Sequence, residues 1–178
     1  MPNTTEENYE VAAESNVMVA ARDGVKLATD IYRPARNGKP VDGRFPVILE
    51  RTPYGKSRAS RSEVDRGQTT PRPRAEVAAQ FVREGYIVIY QDCRGRHGSE
   101  GEFVKYLSDG HDGYDTVRWI EQQPWCNGQV CTIGLSYAAH TQVALACLAP
   151  QSLAAMVVDC GGFSRSEEHT SELQSRLH

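Results

Sequence analysis

The stretch GQVCTIGLSYAAH, residues 128–140, changes its hydrophobic period in the middle. Val130, Cys131, Thr132 and Ile133 form a β-type apolar run that ends at Gly134. From Tyr137 onward the small and apolar residues Ala138, Ala139, Val143, Ala144 and Leu145 follow helical spacing. Ser136 stands at the junction. A serine perched on a tight strand-to-helix turn keeps its hydroxyl out of the core, which is one way to present a nucleophile. A serine at a strand–helix junction can equally cap the helix N-terminus, and this stretch alone leaves both readings open.

Working outward, residues 16–34 read as a β-hairpin: Val17 and Val19, then Leu27, Thr29 and Ile31, alternate around the turn signal Asp23-Gly24. Residues 35–44 form a Gly/Pro/Asn loop, and residues 46–49 a short apolar strand that runs into a turn at Pro53. Residues 56–74 are charged and rich in Ser, Arg and Pro, which predicts a surface excursion. Glu63 and Asp65 interrupt its basic residues and no aromatic accompanies them, so it reads as a solvated loop, not a nucleic-acid patch. A helix is predicted over 76–84, stopped by Gly85, and a strand covered on both faces over 86–92. Residues 112–123 place Tyr114, Val117 and Ile120 on one helix face, with Pro124 beyond the end. Pro150 ends the helix that follows Ser136, and residues 153–162 supply a last strand. Strands alternating with helices after an antiparallel opening predict an α/β fold: a mostly parallel sheet with helices on both faces.

The chain has 178 residues, enough for one domain, with 39% hydrophobic and 24% charged residues. A net charge of −3 offers no basic surface, which argues against nucleic acid as a partner. No apolar run reaches bilayer-spanning length, which argues against a membrane partner, and the polar opening MPNTTEENYE lacks the features of a signal peptide. A cytoplasmic location is the expectation. The five cysteines, Cys93, Cys126, Cys131, Cys147 and Cys160, form no C-x-x-C pair and read as buried thiols. Cysteines and histidines lack metal-ligand spacing, so neither metal nor cofactor is expected. The tail RSEEHTSELQS, residues 165–175, has no apolar period and equals the translation of a common sequencing-library adapter. The expected organisation is therefore a polar segment over 1–16, a catalytic-domain part over 17–164, and a non-native tail over 165–178.

Several strings together resemble one family. Gly134-Leu135-Ser136-Tyr137, Arg51-Thr52-Pro53-Tyr54, Gln91-Asp92-Cys93-Arg94-Gly95 and Ser99-Glu100-Gly101-Glu102-Phe103 are similar to motifs of the X-Pro dipeptidyl-peptidase and cocaine-esterase family of serine hydrolases. The opening VMVAARDGVKLATDIYRP and the WCNGQV before the serine strand extend the likeness over residues 17–163. The resemblance implies an α/β-hydrolase fold, lacking its last strands here, with Ser136 as the nucleophile that forms an acyl-enzyme. It also implies an oxyanion hole built from the Tyr137 backbone N–H and the Tyr54 phenol. Two departures stand out: Ala138 occupies the second glycine of the G-x-S-x-G elbow, and Ala139 stands where the family usually carries glycine.

The DCRGRHGSEGEF loop, residues 92–103, reads as a structural rim, with Arg94 and Arg96 tied to Asp92 and Glu100 and with His97 exposed to solvent. In such hydrolases the acid and then the histidine follow the nucleophile in chain order. After Ser136 come His140, four residues along the same helix, Asp159 at the end of a strand, and His169 and His178 in the tail. None fits the base, so this chain is expected to be inactive by itself and marginally folded, its last strand left as an apolar edge. The leading function is a serine hydrolase that cleaves acyl esters or X-Pro amides, its partner a small ester or short peptide. The alternative is a non-catalytic scaffold of the same fold that binds ligands or proteins.

Overall fold

The computed structural model describes residues 9–60, 67 and 69–161. The expectations for residues 1–8, for Glu63 and Asp65, and for the tail at 165–178 lie outside the described residues.

Strands β1 (Glu10–Ala20) and β2 (Lys26–Arg36) form the expected hairpin, with Val17 opposite Thr29 and Val19 opposite Leu27. Residues 10–16, set apart in the sequence by their polarity, belong to β1. Ladder hydrogen bonds to β2, together with the packing of Val11 on the core, hold them there. A bulge between Glu14 and Val17 puts Asn16 at φ 59°. The loop expected at 35–44 hides a second, tight hairpin to β3 (Lys39–Pro40): Asn37 and Gly38 both take positive φ, as a two-residue primed turn requires.

Strand β4 (Phe45–Thr52) is longer than its apolar run, because Glu50, Arg51 and Thr52 continue it and are buried. Alternation sends Glu50 and Arg51 to opposite faces. Glu50 meets Arg74 at 2.6 Å, while Arg51 donates from Nε to Gln91 Oε1 at 2.8 Å and from Nη1 to the Asp109 carbonyl at 2.6 Å. The predicted surface excursion is therefore anchored at both ends. Lys56 is buried and paired with Asp30 at 2.7 Å, Arg74 is buried against Glu50, and β5 (Ala59–Ser60) pairs with β6 (Arg72–Pro73).

Helix α1 (Arg74–Arg83) ends before Gly85, whose φ is +84°, and β7 (Ile87–Asp92) is buried along its whole length. Helix α2 (Asp109–Glu121), β8 (Cys126–Leu135), α3 (Tyr137–Ala146) and β9 (Leu153–Asp159) complete the chain. The main sheet runs β1-β2-β7-β4-β8-β9, with β3 on the β2 side. β1, β2 and β7 pair antiparallel; β7, β4, β8 and β9 pair parallel. Val77 and Val82 of α1 are buried, and Ala78 and Val82 join Ile48, Val88 and Tyr90 in a core on one face. Val117 and Ile120 of α2 and Leu145 of α3 cover Leu49, Ile89 and Val130 on the other face. Helices on both faces are what the continuous apolar run of β7 requires.

After β4 the chain places β7 on one side of it and β8 on the other. Strand order therefore reverses at β4, and ligands of open α/β sheets bind outside the carboxyl ends of the strands at such a reversal. The loops that follow β4, β7 and β8 carry Tyr54, Arg96 with His97, and Ser136 to that end of the sheet.

Candidate active site

Ser136 occupies one residue between β8 and α3 at φ 60° and ψ −116°, a conformation outside the ordinary wells of an L-residue. Its N–H donates to the Asp159 carbonyl at 2.9 Å, which fixes the turn to the end of β9. The turn is tight enough that a Cβ on Gly134 would lie 2.6 Å from Ala138 Cβ. The methyl at 138 fits because position 134 has none. Likewise a Cβ on Gly161 would lie 2.5 Å from Ala139 Cβ, so Gly161 makes room for the alanine that departs from the family pattern at 139. Ser136 makes no side-chain cap hydrogen bond to α3, which removes the helix-capping reading.

The Ser136 hydroxyl is exposed and meets Tyr54. The Tyr54 hydroxyl donates to Ser136 Oγ at 3.2 Å and accepts from the Tyr137 backbone N–H at 3.3 Å. The structure thus brings together all three residues singled out in the sequence. Tyr54 is 47% exposed and reaches over the serine from the loop after β4. Asp92 holds that loop: its Oδ1 accepts from the Lys56 N–H at 2.7 Å and its Oδ2 from the Gly98 N–H at 3.2 Å, joining the loops after β4 and β7.

Tyr137 is held by its side chain as well. Its buried phenol donates to Asp109 Oδ2 at 2.6 Å and accepts from the Tyr106 N–H at 2.9 Å, while its ring stacks on Tyr106 at 5.1 Å. Burial, reinforced by the hydrogen bond to Asp109, pushes this phenol well above the usual tyrosine range. Asp109 and Tyr106 were not singled out in the sequence. The aromatic pair Phe103 and Tyr106 after the glycine-rich loop was the available signal, but the packing that uses it is tertiary.

The ion pairs expected in the loop after β7 are different from those found. Arg94 bonds Asp112 at 2.6 Å and Asp23 at 2.7 Å, not Asp92 or Glu100, and these contacts push its guanidinium upward. Glu100 accepts from the Lys26 N–H at 3.1 Å instead. Arg96 Nε donates to the Pro53 carbonyl at 3.4 Å and His97 Nε2 to the same oxygen at 3.0 Å. His97 is exposed, as expected, yet with Arg96 it lines the cleft at Ser136, which the reading of this loop as a rim overlooked. That cleft has a volume of about 700 Å³ and is walled by Pro53, Tyr54, Arg58, Arg96 and His97 among others.

Comparison with known proteins decides the family. The sequence model of the X-Pro dipeptidyl-peptidase (S15 family) matches residues 23–175. The chain belongs to the X-Pro dipeptidyl-peptidase S15 family. It is 47% identical over 135 residues to the cocaine esterase of a Rhodococcus species, an alignment that covers 76% of this chain and 21% of that protein. Among solved structures, a CocE/NonD family hydrolase from Staphylococcus aureus matches with a TM-score of 0.70 at 30% identity, over 85% of this chain and 28% of the other. An α-amino acid ester hydrolase matches with a TM-score of 0.67 at 29% identity, over 91% of this chain and 28% of the other. These neighbours place the S15-family chain in the α/β-hydrolase fold, and it spans about a fifth of the cocaine esterase it matches.

Among the described residues, no histidine bonds Ser136 Oγ. His140 lies on α3 with its ring against Tyr106 at 4.3 Å, and His97 bonds Pro53. No group of described residues has the make-up of a metal site, and no described helix is long and apolar enough to cross a membrane.

Proposed function

We propose that this S15-family chain carries the nucleophile and oxyanion hole of a serine hydrolase acting on acyl esters or X-Pro amides. One observation carries the reading: the Tyr54 hydroxyl donates to Ser136 Oγ and accepts from the Tyr137 N–H, which gathers the serine and both prospective oxyanion donors at one point. Ser136 Oγ attacks the acyl carbon while a base takes its proton, and the carbonyl oxygen becomes an oxyanion accepting from Tyr54 and Tyr137. Collapse expels the alcohol or amine, which takes that proton back. Water then attacks the acyl-enzyme by the same steps in reverse roles, releasing the acid and restoring Ser136. The base and its carboxylate come from polypeptide that follows Ser136 in the full-length gene product, the chain order of this fold. A chain without them lacks a contribution of about two to four decades in rate.

The second reading, a non-catalytic scaffold, is favoured by one fact: no described histidine bonds the serine. A panel of p-nitrophenyl esters and X-Pro p-nitroanilides separates the two. The full-length gene product is expected to hydrolyse members of the panel, Ser136→Ala to abolish it, and the 178-residue chain to be far slower. Turnover that survives Ser136→Ala, or no turnover by the full-length product, would remove the hydrolase reading.

A further inference from the structure

Among the described residues that line the cleft beside Ser136, positive charge is in excess. Of its lining residues, Glu50 and Arg74 neutralise each other in a buried pair at 2.6 Å. Arg58 and Arg96 remain, and neither has a carboxylate partner among the described residues. Arg96 is exposed, yet two contacts hold it. Its Nε rests on the Pro53 carbonyl and its guanidinium lies 4.9 Å from the Phe103 ring centroid. Phe103 in turn packs on Tyr137, ring centroids 5.7 Å apart. The guanidinium thus contacts the residue that precedes Tyr54 and the ring that abuts Tyr137. Nε is occupied, and neither Nη group donates to a described residue. A guanidinium already held at Nε and against a ring loses less freedom when its two Nη groups take a carboxylate.

We infer that this cleft selects esters that carry a carboxylate remote from the scissile bond, monoesters of short dicarboxylic acids being the simplest, with Arg96 binding that carboxylate. The inference rests on Ser136 being the nucleophile, and it adds the substrate class. Glu50, the acidic residue among those lining the cleft, does not oppose it, because Arg74 holds both of its oxygens.

The test uses three methyl esters of similar length: monomethyl adipate, its neutral primary amide, and methyl 6-aminohexanoate with a terminal ammonium. Binding is measured by titration calorimetry on the full-length gene product carrying Ser136→Ala, so that no turnover intervenes. The anionic ester is expected to bind about tenfold or more tightly than the amide, with the ammonium ester weakest. Arg96→Gln is expected to erase the difference, Arg96→Lys to restore part of it, and added salt to weaken the anion alone. Equal affinities, tightest binding of the ammonium ester, or a preference that survives Arg96→Gln would overturn the inference. Methanol release by the protein with Ser136 intact is a separate readout. Turnover that persists in Ser136→Ala counts against the nucleophile, whatever the binding series gives.

Discussion

The Tyr54 hydroxyl both donates to Ser136 Oγ and accepts from the Tyr137 N–H, so the free site closes its own donors on each other. In the proposed reaction an oxyanion at the serine accepts from both, and loss of one such donor typically lowers kcat by about 10²–10³-fold. Tyr54→Phe in the full-length gene product is therefore expected to lower kcat on a p-nitrophenyl ester by about that factor while KM changes little; a fall of a few-fold would leave the phenol outside the chemistry. In the same proposal Tyr137 contributes a backbone donor, and its side-chain contacts hold that residue in place. Tyr137→Phe would leave the buried Asp109 carboxylate and the Tyr106 N–H without their partner. Leaving a buried polar group unpaired costs about 1–3 kcal/mol, and urea unfolding of the variant should show a loss in that range. Ser136, Tyr54 and Tyr137 could be read from their motifs. Asp109 and Arg96 could not, because their partners lie 28 and 43 positions away along the chain.

At the scale of elements, the hairpin turn is clamped to α2. Asp115 accepts from the Arg22 N–H at 2.8 Å and from its guanidinium at 2.8–3.1 Å. Burial alone would raise the Asp115 carboxyl, but the hydrogen bonds and charge of Arg22 outweigh it and hold the group below its ordinary 3.8. A carboxyl depressed in the folded state stabilises above its unfolded value, and that contribution disappears as pH falls from about 3.8 through the lower folded value. Asp115→Asn should accordingly lower stability at pH 7 and flatten its dependence on pH below about 4, measured by urea midpoints across pH; parallel curves for the two proteins would contradict the clamp. The hairpin and the helices were legible from alternation and helical spacing. The extension of β4 through Glu50 and Arg51 was not, since charged residues enter a strand's buried faces only where a counter-charge from another element waits for them. Lys56 and Arg74 are the same case seen from the other side.

Over the whole molecule, β9 pairs with β8 along one edge, and among the described residues no strand covers the other. Val157 on it is 62% exposed. Unpaired apolar edges template association, so the 178-residue chain is expected to sediment as oligomers; a monomer with cooperative thermal unfolding would refute this. The thiols give a second check. The sequence predicts buried thiols, yet Cys147 and Cys160 are exposed while Cys93 and Cys126 are buried. Burial pushes Cys93 up to about 12, leaving it a neutral thiol. Brief iodoacetamide treatment followed by mass spectrometry should label Cys147 and Cys160 and leave Cys93 and Cys126 until urea is added. Cysteine is apolar enough for either place, so composition could not sort them. What the chain's order of residues determined unaided was local: the period change at Ser136, the Asp23-Gly24 hairpin, the alternation of strand and helix, and the strings that signal the family. Each depends on neighbours within a turn or a strand. What folding alone decided was which distant groups meet: Tyr54 with Ser136, Asp109 with Tyr137, Arg96 with Phe103, Glu50 with Arg74. Side-chain pairing across a sheet follows from strand order and register, and no residue carries those in its own chemistry.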